Sequence, residues 1–214
     1  MTKIEDKFID IKKSMLVELR TQMNGAVVGT MEKLIGGEPY FSYGVAIPRV
    51  KEQAQLHKGN HELALSLFNS EIRELKLAGI YVDDCEKVTS DQMEKWSKSF
   101  HSLEIAENAS TMLFFGAPCA LEVALQWIDT PELRRMALMI VGKRLRSKYS
   151  ENDNALYEAF YQKAKVLATL ELERGEANAL AIYLASQHRH FPKEVEALLS
   201  DKTTSSYIVA TTII

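Results

Sequence analysis

Two carboxylates and an amide, Glu104, Glu107 and Asn108, fall at i, i+3 and i+4 in the stretch HSLEIAEN, residues 101–108. On a helix those positions share a face. Neighbouring carboxylates repel, so one of the two can hold its proton more tightly and serve as an acid or base. The plainer alternative is an exposed, solvated pair. A second cluster is cationic. Between Leu133 and Tyr149 lie six basic residues and no acidic one: Arg134, Arg135, Lys143, Arg144, Arg146 and Lys148. On a helix, Arg135, Gly142 and Arg146 fall within about 40° of one another, with Lys143 beside them. Leu133, Met136, Ala137, Ile140 and Val141 take the opposite face. Inside a helix Gly142 costs about 1 kcal/mol against alanine, and its lack of a side chain lets something approach the backbone. This pattern suits a helix that contacts phosphates. It equally suits a solvated basic face on which Arg144 snorkels out from the apolar side.

Other reactive side chains form no such set. His57 and His61 have the i, i+4 spacing of two helix-borne zinc ligands. Between them, however, Gly59 and Asn60 read as a helix end and an N-cap, and no third ligand is near. His188 and His190 are two apart and point to different sides of a helix. Cys85 and Cys119 are isolated, as small buried hydrophobes of a reducing compartment would be. The sequence has no phosphate-binding glycine loop, dinucleotide fingerprint, GxSxG elbow or HExxH motif. The expectation is a protein with no metal and no cofactor.

The bulk properties narrow the class. With 214 residues and a net charge of −3, the chain is long enough for a substantial core and is not basic overall. That balance counts against a compact nucleic-acid binder but leaves room for a local basic face. No apolar run approaches the roughly 20 residues of a membrane span. The opening MTKIEDKFIDIKK mixes both charge signs and is not a signal peptide, so the expected location is cytoplasmic.

The elements that must position these residues are helices. Apolar spacings of three and four run through most of the chain. Phe8, Ile11, Met15, Val17 and Leu19 predict a first helix over about 3–23, and Val27, Val28, Met31, Leu34 and Ile35 a second, stopped by Gly36 and Gly37. Four prolines sit where helices should begin, Pro48, Pro118, Pro131 and Pro192, since a first-turn N–H has no partner to lose. In DTPEL, Thr130 reads as an N-cap, Pro131 as the first position and Glu132 as favoured by the dipole. Further helices are expected near 60–70, 71–83, 90–100, 103–115, 152–171 and 174–190. Pairs of helices recurring at about 35–45 residues fit degenerate HEAT-like repeats. The reading is an all-α, single helical domain over 1–200. The uncharged, β-branched tail TTSSYIVATTII is expected to be β-prone, as a docked strand, an extended arm or a frayed end over 201–214.

One ordered set of segments carries a family likeness. YGVAIPRVKEQAQ (43–55) joins a glycine turn to an Ile-Pro helix start and a basic amphipathic helix. ELALSLFNSEIRELKLAGIYVDD and, later, TPELRRMALMIVGKRL follow. Over roughly residues 5–200 this resembles the DNA alkylation repair family, the HEAT-like-repeat alkylpurine DNA glycosylases. Phe68 stands where a family motif has tryptophan, and Glu71–Ile72–Arg73 match its charged part.

The resemblance implies a right-handed α-solenoid whose concave basic groove cradles double-stranded DNA. It also implies excision of N3- or N7-alkylated purines without a metal. In that family a groove aspartate, flanked by two tryptophans, would stabilise the sugar cation or orient water, helped by an arginine. Glu107 falls on the aspartate and Leu103 on the first tryptophan. Arg135 falls on the arginine, and Ile182 or Tyr183 on the second tryptophan. The implied catalytic pair is Glu107 and Arg135, with Glu104 a helix-surface charge. The implied DNA contacts are Lys143, Arg144, Arg146, Lys148 and Tyr183, in a monomer. The loss of the aromatic clamp keeps two other readings open: a DNA-structure binder without catalysis, and, from the acidic pI, a protein-interaction solenoid.

Overall fold

The computed structural model describes residues 7–26, 28, 41–100 and 102–212. Among them every regular element is helical. The predicted second helix lies mostly outside the described residues. The chain divides into two compact units, Met1–Val88 with Glu94–Leu113, and Thr89–Met93 with Phe114–Ile214.

The first unit contains α1 (Ile9–Arg20), α2 (Ile47–Gln55), α3 (His61–Phe68), α4 (Arg73–Val82) and α6 (Leu103–Asn108). Helix α5 (Ser90–Ser97) is shared between the units. Asn60 caps α3 by accepting the Leu63 N–H at 3.1 Å. Gly59 turns the chain with φ +86° and donates to the Val82 carbonyl at 2.7 Å. The His61 ring bonds Asp83 at 2.7 Å, and no group of side chains among the described residues could hold a metal ion. Gly79 of α4 is pressed against α3. A Cβ there would lie 2.9 Å from the Ala64 carbonyl oxygen and 3.0 Å from the Phe68 nitrogen. Phe68 stacks on Trp96 with ring centroids 3.7 Å apart. Lys76 sits over its other neighbourhood, 4.9 Å from the ring, and donates to the Phe68 carbonyl. The motif aromatic at 68 is thus a core residue, and burial pulls the Lys76 ammonium below its ordinary pKa.

The second unit contains α7 (Ala120–Trp127), α8 (Pro131–Ser147), α9 (Asn154–Leu167), α10 (Arg174–His188), α11 (Pro192–Ser200) and α12 (Ser206–Thr211). Helix α8 starts at Pro131 as expected. Thr130 is its N-cap by position, but its hydroxyl makes no capping bond.

Contacts show how the helices stack. Arg134 of α8 meets Glu176 of α10, and Arg146 meets Ser186, at sequence separations of 42 and 40. The two helices therefore run parallel, one repeat apart, with α9 between them in sequence. In the first unit Arg73 of α4 meets Glu104 of α6, and Tyr81 meets Asn108, again in parallel. Parallel neighbours separated by an intervening helix are the arrangement of HEAT-like repeats.

The tail departs from its β-prone reading. Ser206–Thr211 is helical, with Ile208 buried against the second unit. The Ser205 N–H donates to the Ala168 carbonyl at 2.8 Å, and the Thr204 hydroxyl donates to the Leu198 carbonyl at 2.7 Å. Tertiary anchoring outweighs the weak strand preference of the β-branched residues.

Candidate functional site

The candidates fall in two places, one in each unit, and their geometry differs. In the first unit Ser102 caps α6 through the Ile105 N–H, which fixes the faces of Glu104, Glu107 and Asn108. Glu104 is not a surface charge. Both its oxygens accept from the guanidinium of Arg73 at 2.6 Å, and Arg73 is only 2% exposed. Arg73 also donates to the Val45 carbonyl at 2.9 Å and to Glu74 at 3.0 Å. The fully buried Glu74 carboxylate accepts in turn from the Tyr43 and Val45 N–H groups and the Ser42 hydroxyl. Burial opposes the charge on Arg73, but the bonds and charges of Glu104 and Glu74 outweigh it and raise its pKa. The network therefore ties together α6, α4 and the turn leading into α2. That turn, at Gly44 with φ +69°, is the one that carries the family likeness.

Asn108 is structural as well. Its amide donates to the Glu104 carbonyl at 2.8 Å and its oxygen accepts from the Tyr81 hydroxyl. Burial pushes the Tyr81 hydroxyl up to about 12. Glu107 takes no bond from Arg73 or Tyr81 and is half-buried. One turn before it, Leu103 is 57% exposed, so position 103 presents an aliphatic side chain to solvent where the family has tryptophan.

In the second unit, four of the six basic residues expected on α8 support the fold. Arg134 donates to the Ile128 carbonyl and pairs with Glu176 at 2.9 Å. Arg144 does not snorkel to a phosphate. It is 7% exposed, donates to the Phe115 and Ala117 carbonyls at 3.1 and 3.0 Å, and pairs with Asp153. Lys148 donates to the Gly116 carbonyl at 2.7 Å, and Lys143 lies half-buried, 5.5 Å from the Phe115 ring. Arg144 and Lys148 thus give the Phe115, Gly116 and Ala117 carbonyls their donors.

The stripe Arg135–Gly142–Arg146 faces α10. At Gly142 a Cβ would lie 3.3 Å from the Tyr183 Cα, so the group that approaches this glycine is the neighbouring helix. Arg135 rests on Gly175, where any Cβ would overlap its guanidinium. Tyr183 is fully buried with its ring edge on Phe160, and its hydroxyl has no hydrogen-bond partner among the described residues. It belongs to the core and offers nothing to DNA. Its neighbour in sequence, Ile182, is 53% exposed.

Arg146 is the most exposed cation of the basic stripe among the described residues. Its guanidinium donates to the Ser186 hydroxyl at 2.9 Å, and Ser186 donates to the Ile182 carbonyl at 2.7 Å. Arg146, Ser186 and Ile182 line a surface depression of about 290 Å³ together with His188, Arg189 and Thr211. Burial and the like charge of Arg189 lower the Arg146 pKa. Sequence reasoning missed Arg189. It follows α10 as its C-cap, next to His188 of the last turn, and only the i, i+3 relation to Ser186 hints that the two share a face.

No helix among the described residues is long and apolar enough to cross a membrane. No family model and no curated protein matches the sequence. A solved structure does. It is described as "a new family of proteins related to the HEAT-like repeat DNA glycosylases with affinity for branched DNA structures". It superposes with a TM-score of 0.74 at 15% identity, over 94% of this chain and 91% of that one. The HEAT-like-repeat helical fold is common to both.

Proposed function

We propose that this chain binds DNA through the phosphate backbone and responds to DNA structure rather than base sequence. The observation that carries this reading is the likeness over nearly the whole chain to a protein described as having affinity for branched DNA. The exposed cations Arg146 and Arg189 supply the physical means, because guanidinium groups bind phosphate oxygens in a matched fork. Phosphate contacts position a protein without reading sequence. Such a protein needs no overall positive charge when a few cations are concentrated at one surface.

A second, catalytic reading rests on one feature. Glu107 keeps a half-buried carboxylate one turn after Leu103, at the position where the resembling glycosylases carry their groove aspartate. Against it stand the core position of Tyr183 and the exposed aliphatic residues at 103 and 182, the positions on which the resembling family's tryptophans fall. Binding without base release is therefore the better-supported function.

Two assays separate these readings. In competition, a four-way junction should stay bound in the presence of excess linear duplex of equal length. An equal response to both DNAs would remove the structure preference. Incubation with duplex carrying N7-methylguanine or N3-methyladenine should release no base. Release that disappears in Glu107→Gln would make the protein a glycosylase with Glu107 as its carboxylate.

A further inference from the structure

Arg146 and Arg189 pose a physical problem. Two like charges line one depression, where burial and the charge of Arg189 lower the Arg146 pKa. Elsewhere the protein balances such groups: Arg73 has Glu74 and Glu104, Arg134 has Glu176, and Arg144 has Asp153. Among the described residues no carboxylate lies within ion-pair distance of Arg146 or Arg189. The arrangement is nevertheless ordered. Ser186, anchored on the Ile182 carbonyl, accepts one N–H of Arg146 and so aims the guanidinium. The depression of about 290 Å³ is several times the roughly 30 Å³ that a water occupies in the liquid, which leaves room for a tetrahedral oxyanion and part of its ester. Ile182 supplies an aliphatic wall beside it. A bound anion would remove the repulsion between the two guanidiniums and accept N–H bonds from both.

We infer that the depression between the C-terminal turns of α8 and α10 is a discrete DNA-phosphate subsite, in which Arg146 and Arg189 grip one phosphate and Ser186 holds Arg146 in place. This rests on the DNA-binding reading and deepens it, naming two cations, one of them the C-cap of a helix that showed no basic pattern. The phosphate is either an internal diester of the strand or a terminal phosphate at a strand end, and the two share the same recognition chemistry.

The test is salt-dependent binding of a fluorescent linear 5′-phosphorylated duplex by the full chain, as wild type, Arg146→Gln, Arg189→Gln and Lys193→Gln, an exposed lysine that does not line the depression. Each arginine variant should weaken binding about tenfold at low salt. Each should also lower the slope of log affinity against log salt by about 1, the release of one counterion. Lys193→Gln should change neither. Among the described residues Arg189 makes no side-chain hydrogen bond, so Arg189→Gln keeps the test valid even where Arg146→Gln perturbs the Ser186 contact. Closed circular duplex separates the sources. A loss that persists there assigns the site to an internal diester, and a loss confined to the linear, phosphorylated duplex assigns it to a strand end. Wild-type affinity and slope in both variants would overturn the subsite while leaving DNA binding intact. A wild type that binds no DNA at low salt would overturn the functional reading and the subsite together.

Discussion

The two charged regions singled out by spacing use the same chemistry in opposite ways. On α6 the charge is turned inward. Glu104 closes a network in which buried Arg73 meets two carboxylates and a carbonyl, and the network holds the turn before α2. At α8, Arg144 and Lys148 are also turned inward, toward the Phe115, Gly116 and Ala117 carbonyls, but Arg146 is left beside Arg189 with no acid to match among the described residues. A compensated buried ion network fixes structure and is costly to break. An uncompensated pair at a surface contributes nothing to the fold that repays its repulsion, and so points to a ligand. The location of the counter-charge, more than the number of charges in a segment, separates scaffold from site.

The largest expected effect comes from breaking the compensated side. Arg73→Met should destabilise the protein by about 3–5 kcal/mol, because Glu74 and Glu104 lose their buried partner. Denaturant unfolding at neutral pH measures it, and a loss under about 1 kcal/mol would show that the network is not what holds the turn. Next is Gly79→Ala, expected to cost about 1–3 kcal/mol by overpacking, since the new methyl would meet the α3 backbone, which cannot swing aside. The same change at Gly142 should cost less. Its contact of 3.3 Å is looser, and alanine regains about 1 kcal/mol of helix propensity.

On the uncompensated side the sign reverses. Arg189→Gln should leave unfolding free energy within about 0.5 kcal/mol of wild type, as exposed substitutions do, while weakening DNA binding. A stability loss as large as that of Arg73→Met would make Arg189 part of the scaffold. The smallest effect is at Tyr183. Removing a buried hydroxyl that lacks a partner should make Tyr183→Phe neutral or stabilising by up to about 1 kcal/mol at neutral pH, with unchanged DNA affinity.

Alkaline titration sharpens the same point. Burial raises Tyr81 and Tyr161 to about 12 and lifts Tyr183 well above its ordinary value. The folded state keeps these protons where the unfolded chain releases them, near pH 10. Stability contributed by the neutral hydroxyls is complete below pH 10 and is lost as the pH rises from there toward 12. Melting temperatures across that window should fall less steeply in Tyr183→Phe than in wild type.

Helix positions were largely legible, because proline starts and apolar periodicity are local signals. Helices α2, α8 and α11 begin at Pro48, Pro131 and Pro192 or one residue before them, and Asn60 caps α3 as its place in HKGNH suggests. The tail was misread because TTSSYIVATTII has strand propensity but no strand to join. What decides its form is Ser205 on Ala168 and Ile208 in the core, contacts that are distant in sequence. The site was legible only in outline. The basic run on α8 was visible, but which of its cations meet protein carbonyls depends on the turn at 114–117. The facing of Gly142 depends on α10, some forty residues away. Arg189 was invisible as a partner for the same reason, since only the parallel packing of α8 and α10 brings it to Arg146. Ile182 and Tyr183 differ by one residue, or about 100° on a helix, and that rotation alone decides which meets solvent.

If DNA is held by its phosphates, the affinity of the wild-type protein for a four-way junction must depend on salt concentration. Tight binding at low salt that falls linearly on a double-logarithmic plot, with a slope reporting two or more released counterions, is the predicted result. Absence of binding at low salt, or an affinity indifferent to salt, would contradict it.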